Sequence, residues 1–371
     1  MPKTHPDSPA LLCASALPAV GVGLADERQC RSRASPPETD FCISRSPGME
    51  PLLLVELYLI PGFFLGVLVV GIALNLLSLW IFFRRCKQWN RSTLFLCNLT
   101  LADTSWLLGL PFLIQYRLRQ LNWTLGLPLC KLVRILYHNY FYVSIYFVSC
   151  VSVDRYLAIA HPLTSISLLS KRQSLLLCLA IWALSMVMSY PVAQMATTQH
   201  CPGTNSTICT MYVFLEDTSE SLPYSLCCTV IGFLLPFTAI CYCYCRSARA
   251  LSRQRHFPRH ASKRRKLAGA LYSALFIFAV LYLPYHVTRN LVIVMRAAHP
   301  RHGASSYPDV DLVFAVEMCI CSLNTCINPL FIFLTGSDFR LHFKSAFSGW
   351  RPCRCRKGRG AGPHVATVCP L

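Results

Sequence analysis

Residues 131–156 read KLVRILYHNYFYVSIYFVSCVSVDRY, and this stretch decides the architecture. Its charged residues stand near its two ends, and the 19 residues between Arg134 and Asp154 carry no Lys, Arg, Asp or Glu. A run of roughly 20 apolar residues covers about 30 Å of hydrocarbon, and its backbone groups must bond to one another because lipid offers them no partner. The stretch therefore predicts a membrane-crossing helix. Working outward, comparable apolar runs occur at 52–83, 93–115, 174–195, 223–246, 268–295 and 310–334. Seven such runs predict an all-α membrane protein, a seven-helix bundle spanning 51–335. Pro111, Pro191, Pro236, Pro284 and Pro329 fall inside these runs, where kinks are expected.

Composition agrees with lipid as the solvent. Of 371 residues, 54% are hydrophobic and only 14% charged, more apolar than one soluble core requires. The net charge of +19 raises nucleic acid as a partner, but the basic residues lie between apolar runs rather than on one soluble face, which argues against it. With the amino terminus outside, 23 of the 35 Lys and Arg fall at the cytoplasmic side, as the positive-inside bias requires. A multi-pass plasma-membrane protein with an extracellular amino terminus is expected.

Residues 1–50, rich in Pro, Ser, Ala and Arg, read as a disordered leader. Its apolar patch at 10–24 has the look of a weak signal peptide, and Met49 is an alternative start. The two readings stay open. Residues 336–348 are expected to form a short amphipathic helix along the membrane, and 349–371 a basic cytoplasmic tail. Six of the 21 cysteines would lie outside (Cys13, Cys30, Cys42, Cys130, Cys201 and Cys209), where disulfides persist. Cys353 and Cys355, set among arginines, are candidates for palmitoylation, with plain reduced thiols the alternative. On this topology Asn122 and Asn205 are the sequons open to glycosylation, Asn205 the better placed because Asn122 sits in a very short loop.

Catalytic signatures are missing. No G-x-S-x-G, P-loop, H-E-x-x-H or C-x-x-C occurs, and Pro258 separates the His256 and His260 pair. An enzyme is not expected. A transporter, the rival class, tends to carry paired repeats, and seven unequal spans show none.

Asp154-Arg155-Tyr156 at one end of the third span, Asn328-Pro329-Leu330-Phe331-Ile332 in the seventh and Leu101-Ala102-Asp103 in the second stand together with Trp182, Pro236 and Phe278-x5-Pro284. This set resembles the rhodopsin-like (class A) G-protein-coupled receptors over residues 52–347. The resemblance implies a ligand pocket in the outer half and, in the inner half, coupling to a heterotrimeric G protein of the inhibitory or phospholipase-activating type, with arrestin as a further partner. It implies a sodium ion at Asp103 with Ser144, Asn324 and Asn328, whereas a protonated Asp103 in a hydrogen-bond network is the alternative. It implies a bridge between Cys130 and Cys209, which leaves Cys201 for Cys30 or Cys42. It assigns the switch to Asp154, Arg155, Tyr156, Tyr244 and Pro329. Two departures, Ile332 for the usual tyrosine and Arg264 in place of an acid at the foot of the sixth helix, predict a weak resting lock and raised basal signalling.

Arg134 and His138 share one face of the third helix, and Tyr282, His286 and Arg289 repeat that spacing on the sixth, with Arg117 capping the second. Cationic groups crowded at one end of a bundle are unfavourable unless an anion sits among them, so a small anionic ligand is expected. The alternative is snorkelling to headgroups or pairing with Glu216, Asp217, Glu220 or Glu317. Cys130-x3-Arg134-x3-His138, Asn205-Ser-Thr-Ile-Cys209, Tyr224-Ser-Leu-Cys and Pro284-Tyr-His-Val-Thr-Arg289-Asn290 resemble the succinate-receptor group, and the oxoglutarate and purine-nucleotide receptors are similar but more distant. That resemblance implies a dicarboxylate such as succinate, held by Arg134, His138 and Arg289. One departure is that the seventh-helix arginine falls at Met318, with Glu317 alongside, and Arg117 is the candidate substitute. A nucleotide, a peptide or an acidic lipid are the other ligand readings.

Overall fold

A computed structural model describes residues 54–84, 86, 89–161, 170–201, 205–214, 218–253, 269, 271–298 and 308–335. It contains seven apolar helices long enough to cross a membrane: α1 (Val55–Arg84), α2 (Arg91–Leu118), α3 (Gly126–Ala160), α4 (Lys171–Met195), α5 (Ser221–Leu251), α6 (Leu271–Ala298) and α7 (Leu312–Phe333). The expected leader, the helix at 336–348 and the tail lie outside the described residues.

Burial is inverted relative to a soluble protein. Leu65, Val69, Leu108 and Val187 are exposed on the outside of the bundle, whereas Asn75, Asp103, Ser144, His286, Arg289, Asn324 and Asn328 have no exposed surface. Lipid is as apolar as leucine, so apolar side chains lose nothing by facing it, while polar ones must find each other inside. The third helix is the axial one, with every residue from Tyr137 to Ile145 buried. Its 35 residues extend about 52 Å at 1.5 Å per residue, which exceeds the hydrocarbon thickness and calls for a tilt and for ends that emerge from it.

Local chemistry sets the ends and the bends. Asn90 caps α2 by accepting from the Thr93 N–H at 2.9 Å, and Ser170 with Gln173 forms a capping box at the start of α4. Three π-helical turns, Val55–Leu59, Val230–Leu234 and Phe278–Tyr282, are each followed two residues later by a proline: Pro61, Pro236 and Pro284. A proline ring collides with the carbonyl four residues earlier, and widening that turn by one residue relieves the collision. Pro111 and Pro191 lie inside helices without such a turn. In α7 the break comes at Leu323, between Pro308–Ser322 and Asn324–Thr335.

One end of the bundle is covered by an antiparallel hairpin, β1 (Thr198–Cys201) and β2 (Ser206–Cys209), in the register Thr198↔Cys209. Cys209 is bonded to Cys130 in the first turns of α3. The turn after α2 is strapped to the same hairpin: the Trp123 N–H donates to the Thr207 carbonyl at 2.6 Å, and the Asn122 amide oxygen accepts from the Thr207 N–H at 3.0 Å. Cys201 is buried and disulfide-bonded too, and its predicted partners Cys30 and Cys42 lie outside the described residues.

Candidate functional site

Beneath the hairpin, α3, α5 and α6 converge on a cluster of cationic and aromatic side chains. The Arg289 guanidinium donates to the Tyr142 hydroxyl at 2.8 Å and to the Ser225 carbonyl and Thr229 hydroxyl at 2.9 Å each. Its Cζ stands 5.5 Å from the centre of the Tyr285 ring. His286 Nδ1 is 3.1 Å from Arg289 Nη2, and because arginine can only donate, this contact fits the tautomer in which Nδ1 accepts and Nε2 carries the proton. The Asn290 amide donates to Thr229 and accepts from Ser225, which ties α5 to α6 around the arginine.

Arg134 reaches from α3 to the hairpin, where it donates to the Cys209 carbonyl at 2.7 Å. His138, one turn on, places Nδ1 2.9 Å from Ser189 Oγ and Nε2 2.9 Å from the Tyr224 hydroxyl. Tyr212, on the short turn between hairpin and α5, is buried nearby, and burial pushes its phenol up despite the opposing pull of Arg289. Among the described residues, neither Arg134 nor Arg289 forms an ion pair with an acid. Three buried nitrogens of these side chains have no hydrogen-bond partner among the described residues: Arg134 Nε, Arg289 Nε and His286 Nε2.

Two predicted members have other partners. The Arg117 side chain is committed to α1, with Nη1 3.0 Å from Glu56 Oε2. Tyr282 is one helical turn deeper than His286 and belongs to another network, in which its hydroxyl accepts from Asn324 Nδ2 at 2.6 Å and lies 3.3 Å from Ser144 Oγ. In that deeper network Asn328 Nδ2 donates to both Asp103 oxygens, at 2.9 and 3.0 Å, and to Ser144 Oγ at 3.1 Å. Asn324 Nδ2 donates to Ser144 as well, at 2.8 Å. The structure thus brings Asp103, Ser144, Asn324 and Asn328 together and adds Tyr282 to them.

At the opposite end, Asp154 is held chiefly from α2. Arg91 Nη2 lies 2.5 Å and its Nε 2.7 Å from Asp154 Oδ1, and Ser92 Oγ donates to Oδ2 at 2.7 Å. Arg155 is 3.6 Å from the same carboxylate and also donates to Ser92. Tyr156 approaches His161 with its hydroxyl at 3.4 Å, Tyr244 packs edge-on against Tyr272 of α6, and Pro329 lies within α7. Ile332 is fully buried. Arg264 and the basic run beside it, with Cys353 and Cys355, lie outside the described residues. Of the two sequons, Asn205 is exposed at the hairpin tip, whereas the Asn122 amide is engaged with Thr207.

Sequence reasoning missed Tyr142, Ser225, Thr229, Glu56, Arg91 and Ser92. Tyr142 carries a usable signal, since 134, 138 and 142 form one i, i+4 stripe on α3. The others are small or ordinary residues that acquire a role only through the helix packed opposite them.

The comparisons agree with this geometry. The family described as 7 transmembrane receptor (rhodopsin family) matches residues 74–331. P2Y purinoceptor 4 of Rattus norvegicus is 31% identical over 84% of this chain and 84% of its own length. P2Y purinoceptor 1 of Gallus gallus is 31% identical over 78% of the chain and 80% of its length. P2Y purinoceptor 4 of Xenopus laevis is 30% identical over 76% of the chain, although the match spans only 52% of that protein. With seven apolar helices, the Cys130–Cys209 bridge and these relatives, the chain belongs to the rhodopsin family of seven-transmembrane receptors and is a signalling receptor rather than an enzyme.

Proposed function

We propose that this receptor responds to a small extracellular anion bound among Arg134, His138, His286 and Arg289, and that a nucleotide is the favoured class. The amino terminus and the hairpin then face outside, and the Asp154 end faces a heterotrimeric G protein of the inhibitory or phospholipase-activating type, with arrestin as a later partner. One observation carries the reading. Two buried guanidiniums, with no acid partner among the described residues, and the imidazole of His286 leave three nitrogens without a hydrogen-bond partner. Such donors are costly in a low-dielectric interior until an acceptor, above all a charged one, arrives.

The names of the relatives, P2Y purinoceptors, favour a purine-type nucleotide over the dicarboxylate expected from sequence. The geometry leans the same way. A dicarboxylate clamp needed Arg117 to replace the cation missing at Met318, and Arg117 is already paired with Glu56.

The Asp103 network fits a sodium ion. Both carboxylate oxygens and Ser144 Oγ are at hand, and the amide oxygens of Asn324 and Asn328 are buried without partners, which is an all-oxygen donor set suited to a hard cation. When bound, the ion would supply positive charge at Asp103 and hold α2, α3 and α7 together. A glycan at Asn205 fits its exposed position, and one at Asn122 would compete with the Thr207 contact.

The test is dose-response of G-protein activation in cells bearing the full chain at the surface, against nucleoside di- and triphosphates, succinate and oxoglutarate. A nucleotide response lost in Arg289→Gln and Arg134→Gln supports the reading. Unchanged responses in both variants, at equal surface expression, refute it.

A further inference from the structure

We infer that the ligand carries a hydrogen-bond-donating nitrogen at the end remote from its anionic group, and that Glu317 of α7 receives it. This rests on the anion reading above and adds a specificity-determining residue to it. On α7, Phe314, Glu317 and Cys321 follow i, i+3, i+7 spacing and so share one stripe. That stripe faces the interior of the bundle: the Phe314 ring lies 5.7 Å from Tyr285 of α6, and the Cys321 carbonyl accepts from the Tyr140 hydroxyl of α3 at 3.2 Å. Glu317 is partly exposed, and its Oε2 is closed off from solvent without a hydrogen-bond partner among the described residues. Glu317 forms no ion pair among the described residues, and Arg117 is paired with Glu56.

An unpartnered carboxylate oxygen in a bundle interior awaits a donor, just as the unpartnered guanidinium nitrogens await an acceptor. A further polar atom lies on the neighbouring face of α2. Trp106 Nε1 has no hydrogen-bond partner among the described residues and its residue is 0% exposed; its ring lies 4.9 Å from that of Tyr137, whose hydroxyl has Tyr285 beside it. An acceptor on α7 together with a donor on α2 complements a group that both donates and accepts, such as the amino-bearing edge of a heterocyclic base. A second carboxylate at this position would meet Glu317 with like charge. The departure at Met318 is therefore a reversal of sign, in which a position expected to bring a cation is flanked by an acid. Two ligand sources share this chemistry, an amino-substituted nucleobase and the ammonium group of an amino acid.

The experiment compares matched pairs that differ in that one group, adenosine diphosphate against purine riboside diphosphate and aspartate against succinate, on the surface-expressed full chain. The expected result is that within the activating pair the amino-bearing member is more potent by at least about tenfold. Glu317→Gln should narrow the ratio to within about threefold, and Glu317→Arg should invert it. Which pair responds identifies the source. Equal potencies in the parent receptor, or a ratio that survives both substitutions at normal surface expression, overturn the inference and leave the anion site standing. Loss of every response in Arg289→Gln with an unaltered ratio in Glu317→Gln likewise supports the anion site alone. If no member of either pair activates, the inference is overturned.

Discussion

An arginine with no exposed surface and, among the described residues, no carboxylate beside it is costly to hold inside a membrane protein, because neutral acceptors compensate only part of its lost hydration. Arg289 is in that position, ringed by a tyrosine hydroxyl, a threonine hydroxyl, a carbonyl and an aromatic face. Replacing it with Gln removes the charge while keeping a hydrogen-bonding side chain, and truncating a buried charged contact costs about 2–5 kcal/mol. Agonist potency should then fall by at least about thirtyfold, since each 1.4 kcal/mol is tenfold. Arg117 gives the contrast. Its partner Glu56 already neutralises it, and both side chains are largely buried, with 20% and 21% of their surface exposed, so the pair is a contact between α1 and α2 rather than a charge left for a ligand. Arg117→Gln should change agonist potency by less than about threefold in the same assay. A large loss there would return Arg117 to the ligand site. The sequence could not make this distinction, because the spacing that puts Arg117 at the end of α2 says nothing of which acid α1 will present to it.

Among the elements, α3 and α5 depend on one another through a glycine. A side chain built on Gly232 would run into the Tyr142 ring and meet Met188, so the absence of a Cβ is what lets the widened turn of α5 lie against α3. Overpacking a tight interior costs about 1–3 kcal/mol. Gly232→Leu should lower the thermal midpoint of the detergent-solubilised receptor, and because Tyr142 holds Arg289, it should weaken agonist response in the receptor that survives. Gly62, where nothing lies within 4 Å of the added atom, is the control, and Gly62→Ala should leave both readouts unchanged. The seven spans were legible because twenty uncharged apolar residues admit few structures in lipid, and their expected limits fall within a few residues of the observed ones. The third helix is the main exception, starting at Gly126 rather than Lys131 and ending at Ala160 rather than Tyr156. Its ends leave the hydrocarbon, where hydropathy stops being informative. The π-helical turns were not legible either, since proline announces a disturbance without stating its form. Only the structure places a widened turn before Pro61, Pro236 and Pro284 and none beside Pro111 and Pro191.

At the scale of the whole molecule the two polar networks, around Asp103 and around Asp154, lie at different depths of the same helices, and each offers a way to bias one bundle between two packings. If sodium occupies the Asp103 site in the resting packing, coupling of the usual 1–3 kcal/mol predicts that replacing sodium with choline raises agonist affinity by about five- to 150-fold. Asp103→Asn should abolish that dependence, and sodium sensitivity surviving in the variant would place the ion elsewhere. The Asp154 network modifies the sequence-based expectation of a weak resting lock. Asp154 is already satisfied by Arg91 and Ser92, with Arg155 more distant at 3.6 Å, so its hold on Arg155 is diluted by competition within the described residues, whatever α6 contributes. Removing the competitor should strengthen the remaining pair. In Arg91→Ala, Asp154 has Arg155 as its cation, and a gain of about 1 kcal/mol in the remaining pair shifts the resting-to-active ratio about fivefold toward rest. Agonist-free G-protein activation should fall by that factor while maximal agonist response persists. Basal activity that rises in this variant would mean instead that Arg91 ties α2 to α3 as a brake, with Asp154 serving as its anchor rather than as the partner of Arg155.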